Sequence, residues 1–351
     1  MSHTDFDTFI IGQGLAGSAL AWHLAAAGER VCVIDDGHRS SSSMVAAGLI
    51  NPLAGMRFNR RPEMDDWLTA AERWYTDLAQ QFGRRFHHPL PMLRLFRSPG
   101  QRPFYRRRIE DPASAGLAGA AFAANHCPEP IEAPFGGFVQ QRTGYVDLPL
   151  LLGTLRDWLA SSATLLQKAV EYGDIDCRPG QVRIDGSSAR RIVFCDGARS
   201  RDNPWFGHLP WAPDKGEILN LVDDAWQPRH IINGAHWLVP LANGELRFGA
   251  THAHSAVDLN TTAEAREALL AGYQALRPGT TVAVAAHVAG IRPGTADRNP
   301  LLGRHADMAS VWICNGFGAR GALTIPWYAQ RLAAHLIDAE PLPAEADIAR
   351  L

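Results

Sequence analysis

Apolar positions change period several times along the chain. Phe9, Ile10 and Ile11 form a short apolar run that stops at Gly12, and Leu15, Ala19, Leu20 and Leu24 then recur at helical spacing until Gly28. This is the pattern of a buried strand feeding a helix. Arg30 to Asp35 returns to a strand-like run closed by a carboxylate. Pro62 to Phe82 predicts an amphipathic helix, with Met64, Trp67, Leu68, Ala71, Trp74, Tyr75, Leu78 and Phe82 on one stripe that reads as core. After Gly144-Tyr145-Val146-Asp147, a second helix is predicted from Leu148, Leu151, Leu152, Leu155, Trp158 and Leu159. Short strands follow around Leu165 and Val170, and around Val182 and Ile184; Ile192 to Cys195 is another strand, ending in a glycine turn at Gly197. Lys215 to Val222 and Trp237 to Gly249 read as strands of a second sheet. Thr261 and Thr262 can cap a helix running to Leu276, with Glu264 in its first turns and Ala268, Leu269 and Tyr273 on its apolar face. The chain closes with a strand over Val311 to Cys314, a glycine-rich junction and an apolar helix to about Ile337. There is no internal repeat.

Strands alternating with helices, then a separate run of strands, predict an α/β protein with an added mixed sheet. A chain of 351 residues with 46% apolar and 20% charged residues is an ordinary globular composition. A net charge of -2 argues against a globally basic nucleic-acid binder. The polar N-terminus runs straight into a strand, and no apolar stretch reaches membrane-spanning length, so neither a secretory signal nor a membrane span is expected. Cys32, Cys127, Cys177, Cys195 and Cys314 are scattered and odd in number, which predicts a reducing, cytoplasmic setting without disulfides. Cys195 and Cys314 read as buried strand residues.

Chemistry enters with "TFIIGQGLAGSALA". In this strand-to-helix setting, Gly12 makes the tight turn, Gly14 lets a phosphate approach the backbone, and Gly17 lets the helix pack on the strand. Asp35, at the end of the second strand, can accept hydrogen bonds from an adenosine ribose. Strand, glycines, helix and acid in register predict a dinucleotide site, with NAD and FAD both open at this point. The stretch Ser40 to Pro52 is rich in small residues and lets a ligand or a backbone lie close. From Arg84 to Arg108 there are eight arginines and no carboxylate. This segment reads either as a solvated face or as a surface for an anion, with Arg106, Arg107 and Arg108 as phosphate contacts and Phe104 or Tyr105 as stacking platforms if RNA binds. A second glycine-rich junction, "NGFGARGAL", can aim further helix-start amides at the same ligand and stabilise negative charge on a reduced isoalloxazine.

Taken in order, the N-terminal glycines with Asp35, the Ser43 to Pro52 stretch, "GYVDLPLLLGTL", "IVFCDGARSR", "KGEIL", "LRFGAT", "GIRPGTADRNPLLG" and "GFGARGALTIP" resemble the D-amino acid oxidase/glycine oxidase superfamily of FAD-dependent oxidoreductases. The resemblance spans most of the chain. It implies a Rossmann-like FAD domain assembled from residues 1–85, 145–205 and 288–351, with a substrate-binding domain from 86–144 and 206–287. It implies FAD contacts from Gly12, Gly14, Leu15, Ala16, Gly17 and Asp35, from Ser43, Ala47 and Gly48, and from Val170 and Gly197. Further contacts are implied from Arg292 and from Gly316, Gly318, Ala319, Arg320, Gly321 and Ala322. Gly290 stands where covalent-flavin members carry a cysteine, so the FAD is expected to be dissociable.

In relatives acting on amino acids, the arginine at the position of Arg292 clamps the substrate carboxylate, a task suited to its parallel N–H donors. A structural ion pair, for instance with Asp297, is the competing reading. His236, Trp237, His252 and His254 lie on or beside substrate-domain strands, and an imidazole such as His236 or His252 can admit or deprotonate an amine. His252 and His254 lack a third ligand, so no metal is expected. The implied reaction is hydride transfer from the carbon beside an amine, of glycine, an N-substituted glycine or a D-amino acid, to flavin N5, followed by imine hydrolysis. Oxygen or another acceptor then takes the electrons.

"AAGLINPLAG" and the C-terminal "NGFGARGALTIPWYAQRLAAHLIDAEPLP" look most similar to the oxidoreductase half of the bifunctional MnmC enzymes. That half removes a carboxymethyl group from a 5-carboxymethylaminomethyl wobble uridine in tRNA, so tRNA is the alternative partner. The methyltransferase half has no counterpart in this sequence. Two rivals stand outside this chemistry: an NAD-dependent dehydrogenase, and a flavin-containing RNA or protein interaction module without catalysis.

Overall fold

The computed structural model describes residues 4–37, 41–161, 165–254 and 257–351; Ser40 therefore lies outside the described residues. Two eight-stranded sheets and a small three-stranded one organise the chain. In the first sheet the strand Phe6–Ile11 is central. It pairs in parallel with Val31–Asp35 on one side and Ser187–Phe194 on the other, and Val311–Asn315 runs parallel beside the latter. Ile11, Ile34 and Phe194 fall in register, so the carboxyl ends of these strands open on one edge. In open α/β sheets that edge is where ligands sit.

The helix Leu15–Ala26 packs against Gly321–Asp338, which also packs on Met64–Phe82. Trp67, Tyr75 and Tyr328 are fully buried between them. The last helix holds Pro326 in its interior, where the ring removes the amide that would bond the carbonyl four residues earlier. That carbonyl is Ala322, and the Tyr75 hydroxyl donates to it at 2.7 Å. A side chain from a neighbouring helix thus replaces the lost backbone donor.

The second sheet runs, in order, Ala283–Arg292, Asp214–Val222, Leu246–Gly249, Trp237–Pro240, Ile231–Asn233, Met92–Leu95, Gly137–Gln140 and Ala118–Phe122. Its core includes Leu93, Leu219, Leu238, Phe248 and Tyr273. The helix Ala263–Leu276 lies on it, and Thr262 caps that helix by accepting from the Ala265 amide.

Three sequence expectations shift. The strand Ala283–Arg292 pairs along its length with Asp214–Val222, so a boundary at 287/288 would cut a single strand. Trp237 to Gly249 is a hairpin of two strands, turned at Asn243 and Gly244. The strand at Leu165 stops at Gln167, leaving Val170 in the following loop. Among the described residues no helix is long and apolar enough to cross a membrane.

Candidate active site

A cavity of about 420 Å³ lies between the carboxyl edge of the first sheet and the strands Asp214–Val222, Trp237–Pro240 and Ala283–Arg292 of the second. Ligand pockets are commonly ~300–1,000 Å³. Its floor begins at the first glycine turn. Gly12 has φ +98°, and a Cβ there would lie 2.8 Å from the Cys195 carbonyl. A Cβ on Gly17 would come within 1.9 Å of the Gly12 carbonyl, so Gly17 serves helix–strand contact and does not line the cavity. Gly14 does line it, and the helix begins one residue later. Of the amides there, Leu15 N–H donates to Ser43 Oγ at 3.2 Å.

Asp35 is buried at the same end of the cavity. Its carboxylate accepts from Gln13 N–H (2.9 Å), Gly37 N–H (2.7 Å) and Arg156 Nη1 (2.9 Å). Arg156 also donates to Gln13 Oε1, so one guanidinium ties the glycine turn to the acid. Arg156 carried no motif signal, because it projects from the helix Leu148–Ser161 far along the chain. Asp196, also in the lining, is held by Ser200 Oγ and by Tyr172 Oη at 2.6 Å. Burial pushes its carboxyl above the usual range, against the hydrogen bonds from Ser200 and Tyr172. Sequence reasoning gave Asp196 no role.

Ser43, Ala47, Gly48, Val170 and Gly197 line the middle of the site, and Gly318, Ala319, Gly321 and Ala322 bring the start of the last helix to it. Leu15, Ala16 and Asp35 complete the first-sheet lining. Gly316 and Arg320 do not line the cavity. Gly316 is a left-handed turn (φ +82°) packed on Thr295 and Leu301. The Arg320 guanidinium lies 5.4 Å from the Trp67 ring centroid and donates to the Arg298 carbonyl.

This donor set fits FAD. Two helix starts, following Gly14 and Arg320, would face an anion and the isoalloxazine edge with their positive ends, and Gly14 leaves space for close approach. The position of the covalent-attachment cysteine is Gly290, where a Cβ would already meet Val45 at 3.2 Å.

The second-sheet wall contributes Ile218, Trp237, Ile291 and Arg292. Arg292 forms an ion pair, but with Asp214 (2.6 Å); Asp297 instead binds Arg350 at 2.9 Å. Of the two candidate histidines, neither lines the cavity. Strand alternation turns His236 away from the side where Trp237 points. It lies against Phe248 and over Gly272, and burial lowers its pKa. His252 is 63% exposed, with Nδ1 2.7 Å from Asp214, beside Arg292. Among the described residues, no group of three His, Cys, Asp or Glu is placed to hold a metal ion.

The arginine run does not form a single face. Arg94 is buried and donates to the Gly55 carbonyl, and burial lowers its pKa to about 10. Arg108 pairs with Asp111. Tyr105 cannot offer a free ring: it lies 4.8 Å from Phe138 and donates to the Gly119 carbonyl. Phe104 is half-buried beneath Arg57 and Arg107. The exposed remainder of the run is Arg84, Arg85, Arg97, Arg102, Arg106 and Arg107, and Arg57, from an earlier segment, is exposed as well.

The FAD dependent oxidoreductase family (DAO) matches residues 7–335. Glycine oxidase of Pseudomonas putida is 27% identical, over 95% of this chain and 95% of its own. The tRNA 5-methylaminomethyl-2-thiouridine biosynthesis bifunctional protein MnmC of Azoarcus sp. is 26% identical over 97% of this chain and 58% of its own. Among solved structures, glycine oxidase from Bacillus cereus shares the fold with a TM-score of 0.82 and 20% identity, covering 96% of each chain. Iminodiacetate oxidase from Chelativorans sp. does so at 0.81 and 24%, also over 96% of each.

Proposed function

Because the chain belongs to the FAD dependent oxidoreductase family of the glycine oxidase kind, we propose that its substrate is a small amine with a carboxylate on the adjacent carbon: glycine, an N-substituted glycine or a D-amino acid. It is an enzyme, an FAD-dependent oxidoreductase with non-covalent FAD. The observation that carries the substrate reading is Arg292 in the cavity wall, opposite the glycine turns. Bound FAD would supply the hydride acceptor for the carbon beside the amine; water would then hydrolyse the imine, and oxygen or another acceptor would take the electrons.

The chain's own residues do the positioning. Arg292 holds the carboxylate by its charge and the donor that its ion pair with Asp214 leaves open, which fixes the neighbouring carbon in the cavity. Trp237, Ile218 and Ile291 form an apolar wall on the same side and limit water there. The helix starts that follow Gly14 and Arg320 would hold the diphosphate and the flavin edge, with Asp35 at the ribose.

Arg292→Ala tests this reading. Loss of a charge-assisted carboxylate contact is worth ~2–4 kcal/mol, or roughly 30- to 1,000-fold in kcat/KM for amines bearing a carboxylate. FAD content is expected to stay unchanged. Stopped-flow flavin reduction that is insensitive to the substitution would sink the clamp.

A second reading, favoured by the MnmC relatives and by the exposed Arg57, Arg97 and Arg107 around Phe104 and Met56, is oxidation of a carboxymethylaminomethyl uridine in tRNA. Its N-CH2-carboxylate unit asks the same of Arg292.

A further inference from the structure

Arg292 is bonded to a carboxylate of its own chain. The strands Asp214–Val222 and Ala283–Arg292 are antiparallel with Asp214 directly opposite Arg292, and Arg292 Nη1 donates to Asp214 Oδ2 at 2.6 Å. Gly216, next on the same face of that strand, lies under the guanidinium: a Cβ there would fall 2.1 Å from Nη2. Nη2 reaches only the Thr251 carbonyl, at 3.5 Å, the outer limit of a hydrogen bond. Nη1 is therefore committed, and Nη2 keeps donor capacity for an incoming carboxylate.

Asp214 has further neighbours. Its Oδ2 is shared with His252 Nδ1 at 2.7 Å. Its Oδ1 is buried without a hydrogen bond, with His254 Nδ1 3.7 Å away. Both histidines are open to solvent, whereas Asp214 is 14% exposed. A carboxylate in this place neutralises Arg292 and competes with any external carboxylate for the same fork of donors. The competition has a chemical use. Imine hydrolysis leaves a product that still carries the substrate's carboxylate, so an unopposed guanidinium would hold product as firmly as substrate.

We propose that Asp214 is a positioning residue and built-in competitor for Arg292: it holds the guanidinium by Nη1, leaves Nη2 to the substrate, and weakens carboxylate binding enough for product to leave. The inference rests on the clamp reading of Arg292. Its test uses acetate as an inert carboxylate, titrated into the FAD-loaded protein and followed by perturbation of the flavin absorption spectrum. Asp214→Asn keeps shape but removes the competing charge, and acetate is expected to bind on the order of tenfold tighter, while steady-state turnover falls through slower product release. His252→Ala leaves Asp214 Oδ2 to Arg292 alone and is expected to weaken acetate several-fold, the opposite direction, in a fold that the loss of an exposed side chain does not threaten. Acetate binding unchanged in Arg292→Ala would overturn the clamp itself. Acetate binding lost in Arg292→Ala but unchanged in both Asp214→Asn and His252→Ala would overturn this inference alone.

Discussion

The Tyr75 hydroxyl does one job that can be isolated. It donates to the Ala322 carbonyl that Pro326 leaves without its helical partner, at the turn that lines the cavity. Tyr75→Phe keeps the buried ring and removes only the donor, leaving a buried carbonyl unsatisfied at a cost of about 1–3 kcal/mol. The urea midpoint is expected to drop with little change in slope; an unchanged midpoint would show that water or another donor reaches Ala322. At this scale the sequence was partly legible. Gly12, Gly14 and Asp35 could be placed at the cavity from a local strand–glycine–helix motif, and Arg292 from the resemblance to relatives that act on amino acids. Asp214, Arg156 and Asp196 could not, since their importance comes from strand register and helix placement that bring distant segments together.

Elements were legible where period and punctuation were strong. The helix expected over Pro62 to Phe82 forms as Met64–Phe82, with Gly83 in the left-handed conformation as its stop. The hairpin within Trp237 to Gly249 went unread, although Asn243-Gly244 is a turn dipeptide inside an apolar run. His236 illustrates the limit: nothing local reveals which face of a strand meets the cavity. The helix Leu15–Ala26 carries its own pH sensitivity. His23 sits against Trp74, with Nε2 buried and unbonded, and burial lowers its pKa to about 4 from 6.5. The folded state therefore resists a proton that the unfolded chain takes up. This contribution to stability is complete above pH 6.5 and declines as pH falls toward 4, by up to about 3 kcal/mol. His23→Leu is expected to flatten that part of the stability–pH curve; the same slope in the variant would assign it to other groups.

For the whole molecule, the two sheets divide the labour: the carboxyl ends of the parallel strands in the first offer glycine turns and helix starts, and the antiparallel strands at one end of the second offer Arg292 and an apolar wall. The alternation of strands and helices made the first half of that division readable. The second half was less so, because the edge strand Ala283–Arg292 is continuous in sequence with the returning parallel segment and belongs by pairing to the other sheet. The arginine-rich segment shows the reverse error of scale: a charge run in sequence is dispersed in space between core, ion pairs and surface. The most direct test of the account is anaerobic reduction of the bound flavin, followed at about 450 nm. Glycine, N-methylglycine, several D-amino acids and tRNA bearing the carboxymethylaminomethyl uridine would be compared. The account predicts rapid bleaching by at least one small amine that carries a carboxylate on the adjacent carbon. Bleaching by the modified tRNA alone would contradict the small-amine reading in favour of the tRNA one, and no bleaching by any of them would contradict both.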